Sequence, residues 1–483
     1  ARATHQPWPR SKTTLRAALH RTTHGHGGDG HLPERTPPFS KPFMKSQSHS
    51  PLDSSTAHRQ SAVLGWALKG ILVLLLSYAI GWVLEQYQWA TYQFPQTVLW
   101  CSVPYAITAY WLYNGAYLPQ FEERRFLLVA TAAPYLAAPL GFALLQQPYS
   151  RGAVLLVYLL SAAWFALGHW RERGRYALSL AYLDSCVPMR LKELLGDASE
   201  FSQQDIKLRP LAIPAASGAA PQVTDDTSAL AGVVIDPQAP TDAVRERLIS
   251  DLRLQHVRLY SVEAVAELIS GRKMLSNLQA QDLWALDGDP AYDTVKRLTD
   301  IGLTLAALPL WLPLCLAAGL AVKLNTPGPM LFSQIRIGRN GREFRIWKLR
   351  SMRHEEATTA RFAQPNDDRV TSVGKIIRRT RLDELPQLWN VLKGDMSLIG
   401  PRPEQAEFVR VFAHRIPAYP YRHLVRPGLT GWAQVQQGYA EGEEQTAVKL
   451  SYDLYYVAHY SLALDLLIAY KTARILFTGF GAR

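Results

Sequence analysis

The stretch DIGLTLAALPLWLPLCLAAGLAVKL, residues 300–324, decides how the rest of the chain is arranged. Its length suffices to cross a hydrocarbon core of roughly 30 Å. Pro309 and Pro313 stand near its middle, however, and each removes a helix hydrogen bond and forces a bend. Because basic residues flank the stretch on both sides, we predict a re-entrant helix–break–helix that enters and leaves the membrane on the cytoplasmic side. A kinked spanning helix is the alternative.

Four other apolar segments precede this stretch, at residues 63–84, 97–118, 126–145 and 153–170. Each has about the 20 residues that a transmembrane helix needs, and four in succession argue against buried helices of a soluble protein. Basic residues follow the second and the fourth segments, whereas the loop between the first two has no Lys or Arg. By the positive-inside rule, both termini are predicted to face the cytoplasm.

The chain of 483 residues carries a formal net charge of +12. Such a length indicates about two to four structural units. The positive charge requires anionic partners, and the apolar segments favour an anionic membrane surface and phosphorylated substrates over nucleic acid. The three cysteines, Cys101, Cys186 and Cys315, lie far apart, so neither a disulfide framework nor a zinc site is expected.

These patterns divide the chain into four regions. Residues 1–58 are basic and rich in His, Pro and Ser, and they are predicted to be disordered. Residues 59–172 hold the four predicted transmembrane helices, and residues 289–483 form a last domain that contains the re-entrant helix. Residues 173–288 alternate apolar strand patterns (ALAGVVIDP, HVRLYSV) with helical spacing, which predicts a small soluble α/β domain. It has no G-x-G-x-x-G motif, so dinucleotide binding would rest on fold analogy alone.

A predicted β-hairpin follows the re-entrant stretch. MLFSQIRIG and EFRIWKLRSM have strand patterns, and the Asn-Gly between them is a strong hairpin signal. Alternation along the second strand puts Lys348 and Arg350 on one face with Phe344 and Ile346. Two cations at the end of one face suit an anionic ligand, although solvated charge on an edge strand is the commoner use of such residues.

The stretch RLDELPQLWNVLKGDMSLIGPRP combines an acidic pair with many arginines. Asp383 and Glu384 follow Arg378 and Arg381, and Arg402 lies in the Pro-Arg-Pro motif. A helix is predicted to begin near Asp383, because the proline that follows is tolerated only in a first turn. One acid suffices to cap a helix. The second acid and the arginines therefore indicate a site for phosphate and a divalent metal, with simple capping as the alternative.

Each of these groups has a task in such a site. The arginines and the helix dipole would lower the pKa of Asp383 and keep it ionised, as a carboxylate nucleophile must be. Glu384 would hold Mg²⁺, a hard cation that binds one or two carboxylates together with substrate phosphates. The arginines would bind phosphoryl oxygens and stabilise developing charge.

From about residue 292 onward, the sequence resembles the bacterial sugar transferase family, the polyprenyl-phosphate hexose-1-phosphate transferases. The resemblance rests on KRLTDIGLTL, WKLRSM, RLDELPQLWNVLKGDMSLIGPRP, RPGLTGWAQV and YDLYYVAHYSLALDLLIAYKT, which follow the family's order. The preceding transmembrane segments and the α/β insert are similar to the large members of the family, which start exopolysaccharide, capsule or O-antigen repeat units.

The resemblance implies a transfer in two steps. Asp383 would attack the β-phosphate of a UDP-hexose, releasing UMP and leaving a phosphosugar–aspartyl enzyme, and undecaprenyl phosphate would then accept the hexose-1-phosphate. Glu384 would bind Mg²⁺, the expected cofactor. The residues expected to bind phosphate and substrate are Lys348, Arg350, Arg378, Arg381 and Arg402.

Some positions depart from the family pattern. Pro313 falls where the family breaks its re-entrant helix, but Leu312 replaces the common serine, so Pro309 is expected to contribute to the break. GWAQVQQG replaces the common GWAQVNG and brings in Gln436 and Gln437. We expect that loop to contact substrate, which leaves the sugar open.

The predicted architecture is a membrane α-helical bundle of four transmembrane helices, a small α/β Rossmann-like domain and an α/β monotopic catalytic domain with a re-entrant membrane helix. It would lie in the bacterial inner membrane with the catalytic domain and both termini on the cytoplasmic side. The expected partners are UDP-hexose, undecaprenyl phosphate and the lipid bilayer, without nucleic acid and with a homodimer left open.

Three rival hypotheses remain. The first keeps the reaction but transfers an N-acetylhexosamine phosphate, although the insert and the four helices favour glucose or galactose. The second is a membrane glycosyltransferase that releases UDP, so its product distinguishes it. The third is a non-enzymatic scaffold that binds a nucleotide sugar through residues 176–285 and would be indifferent to Asp383→Asn.

Overall fold

A computed structural model describes most of the chain between residues 52 and 478. The described residues are 52–87, 93–115, 118, 122–173, 178–196, 206–211, 232–275, 290–353, 369–437 and 442–478. Most of the region predicted to be disordered, residues 1–51, lies outside them. The first helix begins at Leu52, ahead of the predicted boundary at residue 59.

The described part of the membrane region is mostly helical. Its helices are α1 (Leu52–Lys69), α2 (Ile71–Gln86), α3 (Gln93–Trp100), α4 (Ser102–Asn114), α5 (Glu123–Leu144) and α6 (Arg151–Arg173). Gln60–Gln86, Arg125–Leu144 and Arg151–Arg171 are long and apolar enough to cross a membrane, which agrees with the first, third and fourth predicted segments. Their large apolar side chains face outward, as Leu136 does with 79% of its surface exposed. A contiguous apolar surface of this kind is typical of contact with lipid.

The second predicted segment forms two shorter helices instead of one span. α3 ends at Trp100 and α4 begins at Ser102, with the interruption at Cys101. Pro104, in the first turn of α4, has no N–H and cannot donate to the carbonyl of Trp100 four residues earlier. With 13 residues, α4 is shorter than a transmembrane helix.

The soluble α/β unit contains a parallel sheet. Its elements are β1 (Leu178–Tyr182), α7 (Val187–Leu195), β2 (Ile206–Pro210), β3 (Gly232–Ile235), α8 (Ala243–Leu254), β4 (Leu259–Ser261) and α9 (Val262–Ser270). The strand order is β2-β1-β3-β4, and Leu180 pairs with Gly232 in the central ladder. This confirms the predicted α/β class. The order reverses between β1 and β3, which is where ligands bind in open parallel sheets.

The predicted re-entrant stretch forms two helices, α10 (Pro290–Ala306) and α11 (Leu308–Asn325). They are interrupted at Ala307, just ahead of Pro309, which lies in the first turn of α11. Pro313 lies inside α11. The break between the two helices therefore comes before Pro313, the position at which the family resemblance placed it. Trp311 Nε1 donates to the carbonyl of Thr304 at 3.1 Å and so connects the two helices across the interruption. α11 is also apolar and long enough to cross a membrane.

The last domain combines a hairpin, short helices and a small parallel sheet. Its regular elements are β5 (Leu331–Ile337), β6 (Glu343–Leu349), α12 (Ser372–Arg379), α13 (Gln387–Lys393), β7 (Ser397–Ile399), α14 (Ala406–Arg415), β8 (Gly428–Thr430), α15 (Trp432–Gln436), α16 (Gly442–His459) and α17 (Leu462–Thr478). The predicted hairpin is confirmed, since β5 and β6 are antiparallel with Phe332 opposite Lys348. Asn340 in its turn has a positive φ of 58°, a conformation that Asn tolerates well.

Both halves of the α10–α11 pair are attached to this same domain. On α10, Asp300 Oδ1 accepts the N–H of Leu398 at 3.1 Å. On α11, Ala318 and Val322 pack in one cluster with Leu349 and Ile377. The far ends of the pair, around its interruption, expose large apolar side chains; these are Leu303, Leu305, Leu310 and Leu312.

The membrane region packs directly on α17. Leu118, Phe126 and Ala130 share one buried cluster with Leu467 and Ile468 of α17. The fully buried Glu122 makes an ion pair with Lys471 of α17, which also lies over the ring of Trp432. The last domain is therefore held by the membrane region as well as by α10 and α11.

Candidate active site

The hairpin directs Lys348 toward the acidic pair. Ile346, two residues earlier on the same face of β6, is buried against Val391 and Met396. Lys348 comes next along that face, and its Nζ lies 3.2 Å from Glu384 Oε1. Alternation puts Lys348 on the same face as Ile346, and the burial of Ile346 directs the Lys348 side chain to the acidic pair.

The acidic pair lies in a 3₁₀ turn, Leu382–Glu384, rather than at the start of a longer helix. α13 begins only at Gln387, with Pro386 as its N-cap, so the predicted helix start is a few residues early. Arg381, just before the turn, has a left-handed backbone with φ 56°. For a residue other than Gly this costs roughly 1 kcal/mol, and strain of this kind concentrates at functional sites.

Glu384 is buried and surrounded by cations. Its Oε1 accepts from Arg402 Nη2 at 2.9 Å as well as from Lys348, and Arg381 Nη1 lies 3.9 Å from its Oε2. Burial alone would raise the pKa of Glu384, but Arg402 and Lys348 outweigh it and hold that pKa well below its ordinary value. Glu384 in turn raises the pKa of Arg402. This carboxylate therefore stays ionised throughout the physiological pH range.

Asp383 has the opposite environment. Burial first, and then the charge of Glu384, raise its pKa to about 6 against the weaker influence of Lys348, Arg402 and Arg378. The sequence-based expectation of a lowered pKa is wrong, because Glu384 holds the nearest cations by direct contact. Within the described residues, no hydrogen bond or ion pair engages the Asp383 carboxylate. It is ionised at neutral pH and available to react.

Arg402 is presented by a rigid turn. Each of four consecutive carbonyls accepts a hydrogen bond: Pro401 from Gly428 N, Arg402 from Arg422 Nη2, Pro403 from Arg336 Nη1 and Glu404 from Ile337 N. The two prolines of Pro-Arg-Pro fix their own φ angles. A backbone held in this way presents the guanidinium in one position.

A buried polar network lies behind this turn, and sequence reasoning missed it. Arg422 Nη2 lies 2.8 Å from Asp453 Oδ2, and Lys449 Nζ lies 2.8 Å from Glu404 Oε1. Burial raises the pKa of Glu404, but Lys449 and Arg422 outweigh that effect and bring it to about 2. The four-residue spacing of Lys449 and Asp453, which puts them on one helix face, was the available signal.

Arg350 is not part of this arrangement. Its guanidinium is buried and donates to the carbonyl of Pro327 at 2.6 Å and to the carbonyl and hydroxyl of Thr326 at 2.8 and 2.9 Å. Within the described residues it has no contact with Asp383 or Glu384. Its predicted role in substrate binding is therefore replaced by a structural one, holding the turn between α11 and β5.

Arg350→Lys is accordingly expected to weaken the fold, not the site. One ammonium cannot reproduce a forked set of donors, so the loss should be about 2 kcal/mol of unfolding free energy. Thermal unfolding of the purified variant measures it. An unchanged melting temperature would contradict this role, and Arg345→Lys, on an exposed position of the same strand, is the matched control.

The geometry can now be set beside known proteins. A model of the bacterial sugar transferase family matches residues 291–479. The UDP-glucose:undecaprenyl-phosphate glucose-1-phosphate transferase of Caulobacter vibrioides is 45% identical over 191 residues, which are 39% of this chain and 72% of that protein. The chain belongs to the bacterial sugar transferase family.

Two further relatives differ in the sugar that their names give. The UDP-N-acetylgalactosamine-undecaprenyl-phosphate N-acetylgalactosaminephosphotransferase of Aeromonas hydrophila is 49% identical over 239 residues, 49% of this chain and 56% of that protein. The UDP-glucose:undecaprenyl-phosphate glucose-1-phosphate transferase of Escherichia coli is 41% identical over 202 residues, 40% of this chain and 43% of that protein. The chain thus spans about half the length of these two relatives.

The Gln-Gln loop contacts the membrane region and α17. Gln436 Oε1 accepts from Lys471 Nζ at 3.0 Å, and its Nε2 lies 3.4 Å from Glu122 Oε1 of the membrane region. Gln437 Nε2 donates to the carbonyl of Gln445 at 3.1 Å. The departure from the common family motif therefore accompanies a contact with the membrane region, and the expected contact of this loop with substrate stays a prediction.

The acidic pair has the chemistry of an open Mg²⁺ site. Glu384 Oε2 accepts no hydrogen bond within the described residues, with Arg381 Nη1 3.9 Å from it, and the Asp383 carboxylate has neither a hydrogen bond nor an ion pair there. The described residues contain no group of three or more His, Cys, Asp and Glu side chains that could enclose a metal ion. Mg²⁺ is commonly held by one or two carboxylates plus substrate phosphates, which is what this pair can offer.

The α/β insert has two carboxylates at the point of its sheet where a nucleotide phosphate would bind. Asp184 and Asp236 follow β1 and β3 at the point where the strand order reverses. Arg245 binds both oxygens of Asp184, at 2.8 and 3.1 Å, and Arg190 lies 3.6 Å from Asp236. Two carboxylates at this place repel phosphate, and their arginines are already engaged.

Proposed function

We propose that the chain transfers a sugar-1-phosphate from a UDP-sugar to undecaprenyl phosphate, releasing UMP, as the first step in building a repeat unit of exopolysaccharide, capsule or O-antigen. The observation that carries this proposal is the contrast within the acidic pair. Asp383 is unpaired within the described residues and has a pKa near neutrality, whereas Glu384 is paired with Lys348 and Arg402. The names of the three relatives support the same class of reaction.

In the first step, a carboxylate oxygen of Asp383 attacks the β-phosphorus of the UDP-sugar. The bond from that phosphorus to the oxygen bridging the two phosphates breaks, so UMP leaves with the electron pair and an aspartyl phosphosugar remains. Arg402, Lys348 and Arg378 stand close enough to compensate the charge that develops on phosphoryl oxygens. Glu384 fixes the first two of these cations in place.

In the second step, a phosphate oxygen of undecaprenyl phosphate attacks the phosphorus of the intermediate. The acyl phosphate bond breaks, the Asp383 carboxylate is regenerated, and undecaprenyl-diphospho-sugar leaves. A covalent intermediate divides one difficult transfer between two anionic phosphates into two steps at one site. Bound Mg²⁺, held by Glu384 with substrate oxygens, would supply further positive charge for the phosphates.

The transfer rate is expected to fall on the acid side with an apparent pKa of about 6. Asp383 must be deprotonated to attack, and its pKa is about 6 because of burial and Glu384. Below that value the rate should drop about tenfold per pH unit, and above it the rate should level off. Initial rates of UMP release across this range test it. A fall in rate centred on the ordinary pKa of an aspartate would contradict the assignment of this pH dependence to Asp383.

The position of the catalytic domain at the membrane supports access to a lipid substrate. Both α10 and α11 are attached to that domain. The leucines near their interruption are exposed, with 57% of the surface of Leu303 and 68% of that of Leu310 accessible. A re-entrant pair on the cytoplasmic side accounts for this arrangement: its tip lies in the hydrocarbon and its two ends return to one surface. Leu382, beside Asp383, packs with α11 and so puts the acidic pair close to that surface.

The sugar is a question for experiment. Relatives named for glucose and for N-acetylgalactosamine are 41–49% identical to this chain, so both sugars are candidates. The scaffold hypothesis is weakened by the carboxylates Asp184 and Asp236, which oppose nucleotide phosphates in the α/β insert.

The test is product analysis with the full chain in nanodiscs and Mg²⁺. UDP-glucose, UDP-galactose, UDP-N-acetylglucosamine and UDP-N-acetylgalactosamine are each supplied with and without undecaprenyl phosphate. We expect UMP from one of them, and a burst of about one UMP per active site without the lipid acceptor. UDP as the product would establish a glycosyltransferase instead, and no nucleotide release from any sugar would favour a scaffold.

A further inference from the structure

Residues 271–275, which follow α9 of the α/β insert, contact α15 and α16. Gly271 O accepts the indole N–H of Trp432 at 2.8 Å. Lys273 N donates to the carbonyl of Ser451, on α16, at 2.9 Å. Both bonds use main-chain atoms of the insert, so they fix the path of this 271–275 segment on the catalytic domain.

Leu275, the last described residue of the segment, reaches the buried polar network. It packs against a cluster formed by Tyr419, Leu450 and Leu454, each at most 2% exposed. The hydroxyl of Tyr419 accepts a hydrogen bond of 2.6 Å from Arg422 Nη1. An apolar side chain from the insert therefore packs on the cluster that contains Tyr419, a direct partner of Arg422.

The bond at Ser451 falls between two residues that act on the Pro-Arg-Pro turn. Lys449 and Asp453 flank Ser451 on α16 and make the ion pairs with Glu404 and Arg422. Holding the α16 backbone at Ser451 thus fixes the height and rotation of both side chains. A shift of α16 would move them together, because they belong to one rigid helix.

An ion-pair cluster strengthens this contact. Glu267 of α9 accepts from His459, at the end of α16, at 2.9 Å, and from Lys273 at 2.9 Å. Burial raises the pKa of Glu267, but His459 and Lys273 outweigh it, so the carboxyl has a lowered pKa and stays charged. The insert is thereby attached to both the middle and the end of α16.

We propose that the α/β insert is a positioning domain for Arg402. Its 271–275 segment holds α16 and Tyr419, these hold Arg422, and Arg422 holds the carbonyl of Arg402. This inference rests on the proposed function, in which Arg402 compensates phosphoryl charge. It gives the insert a task that needs no ligand, in keeping with the carboxylates that fill its switch point.

The proposal predicts that loosening the segment slows the chemical step. Displacing Arg402 removes compensating charge from the phosphoryl oxygens, so the rate of UMP formation at each active site should fall. The amplitude of the UMP burst counts the folded active sites and should stay that of the control. A loss of fold stability alone would lower the burst amplitude without changing the rate.

The test compares Leu275→Ala with Leu254→Ala in the full chain. Leu254 ends α8 in the same insert and is 79% exposed, so it is a matched control for the loss of a leucine. Leu275→Ala should lower kcat by about two- to thirtyfold, the range expected for residues that act through a contact network. It should also slow the UMP burst without lowering its amplitude, while Leu254→Ala leaves kcat and the burst unchanged.

Hydrogen exchange provides a readout that does not require turnover. In Leu275→Ala, amides of residues 399–405 and 419–424 should exchange faster than in the control. If both peptides and the burst rate match the control, the insert does not position Arg402. Failure of the wild type to release UMP would count against the proposed function alone, since exchange still tests the contact.

A second variant covers the case in which Leu275→Ala fails to fold. Glu267→Gln keeps the size of the side chain and removes its charge from the ion pairs with His459 and Lys273. It should give the same pattern with a smaller amplitude. Wild-type exchange and a wild-type burst rate in a folded Glu267→Gln protein would then overturn the proposal.

Discussion

Asp383→Asn is expected to lower the rate of UMP release by at least about a thousandfold. The amide cannot act as the attacking oxygen anion, and removing a covalent nucleophile usually abolishes the reaction that depends on it. The change is nearly isosteric, and no hydrogen bond of the carboxylate within the described residues would be lost. The measurement is the single-turnover formation of UMP, together with trapping of a labelled phosphosugar on the protein.

The same substitution should stabilise the protein. Burial and the neighbouring Glu384 raise the pKa of Asp383 to about 6. When a carboxyl has a higher pKa in the folded protein than in the unfolded chain, the protein becomes less stable as the pH rises through that folded pKa. At neutral pH this costs about 1–3 kcal/mol. Asn carries no charge, so Asp383→Asn should have a higher melting temperature than the wild type at neutral pH.

Opposite signs for activity and stability make this prediction sharp. Asp395→Asn is the control, because that carboxylate follows α13, makes a partly exposed pair with Lys393 at 3.5 Å, accepts a hydrogen bond from Asn390 Nδ2 at 3.3 Å, and has no place in the proposed mechanism. It should leave UMP release close to wild type. UMP release by Asp383→Asn at a rate near that of the control would remove Asp383 from the mechanism and leave Glu384 to be tested.

The sequence identified the parts of the site that depend on local pattern. Lys348 follows from strand alternation, and the hairpin follows from Asn-Gly at its turn. The apolar segments were found from composition, although Pro104 divides the second one in a way that hydropathy averages over. The interruption between α10 and α11 lies at Ala307 and not at Pro313. This is also a local feature, because Pro309 lies in the first turn of α11, where a proline is tolerated.

The parts that failed depend on contacts between distant segments. Strand alternation puts Arg350 and Lys348 on the same face. Only the folded chain shows that the carbonyls of residues 326 and 327 accept hydrogen bonds from Arg350. The pKa of Asp383 depends on which of the nearby cations contact Asp383 and which contact Glu384. The sequence shows how many cations there are but not which carboxylate each one contacts. Arg422 and Arg402 are far apart in the sequence, so the hydrogen bond from Arg422 to the carbonyl of Arg402 can be found only in the folded structure.

Arg422→Met is expected to lower the free energy of unfolding by about 3–5 kcal/mol, the cost of leaving a buried charge without its partner. The side chains of Arg422 and Asp453 are each 2% exposed, and their N–O distance is 2.8 Å. Methionine fills much of the volume but cannot donate to Asp453, to Tyr419 or to the carbonyl of Arg402. Thermal unfolding of the purified variant, beside Arg410→Met at an exposed position of α14, measures the loss.

The pH dependence of this loss identifies its cause. Burial raises the pKa of Asp453 even beside Arg422, and without the arginine it should rise further. The deficit of Arg422→Met should therefore shrink as the pH falls, because a protonated Asp453 no longer buries a charge. Arg422→Met with Asp453→Leu should recover part of the stability at neutral pH but not the turnover rate, since the carbonyl of Arg402 still lacks its donor. Full recovery of turnover in that double variant would mean that the Pro-Arg-Pro turn holds Arg402 without Arg422.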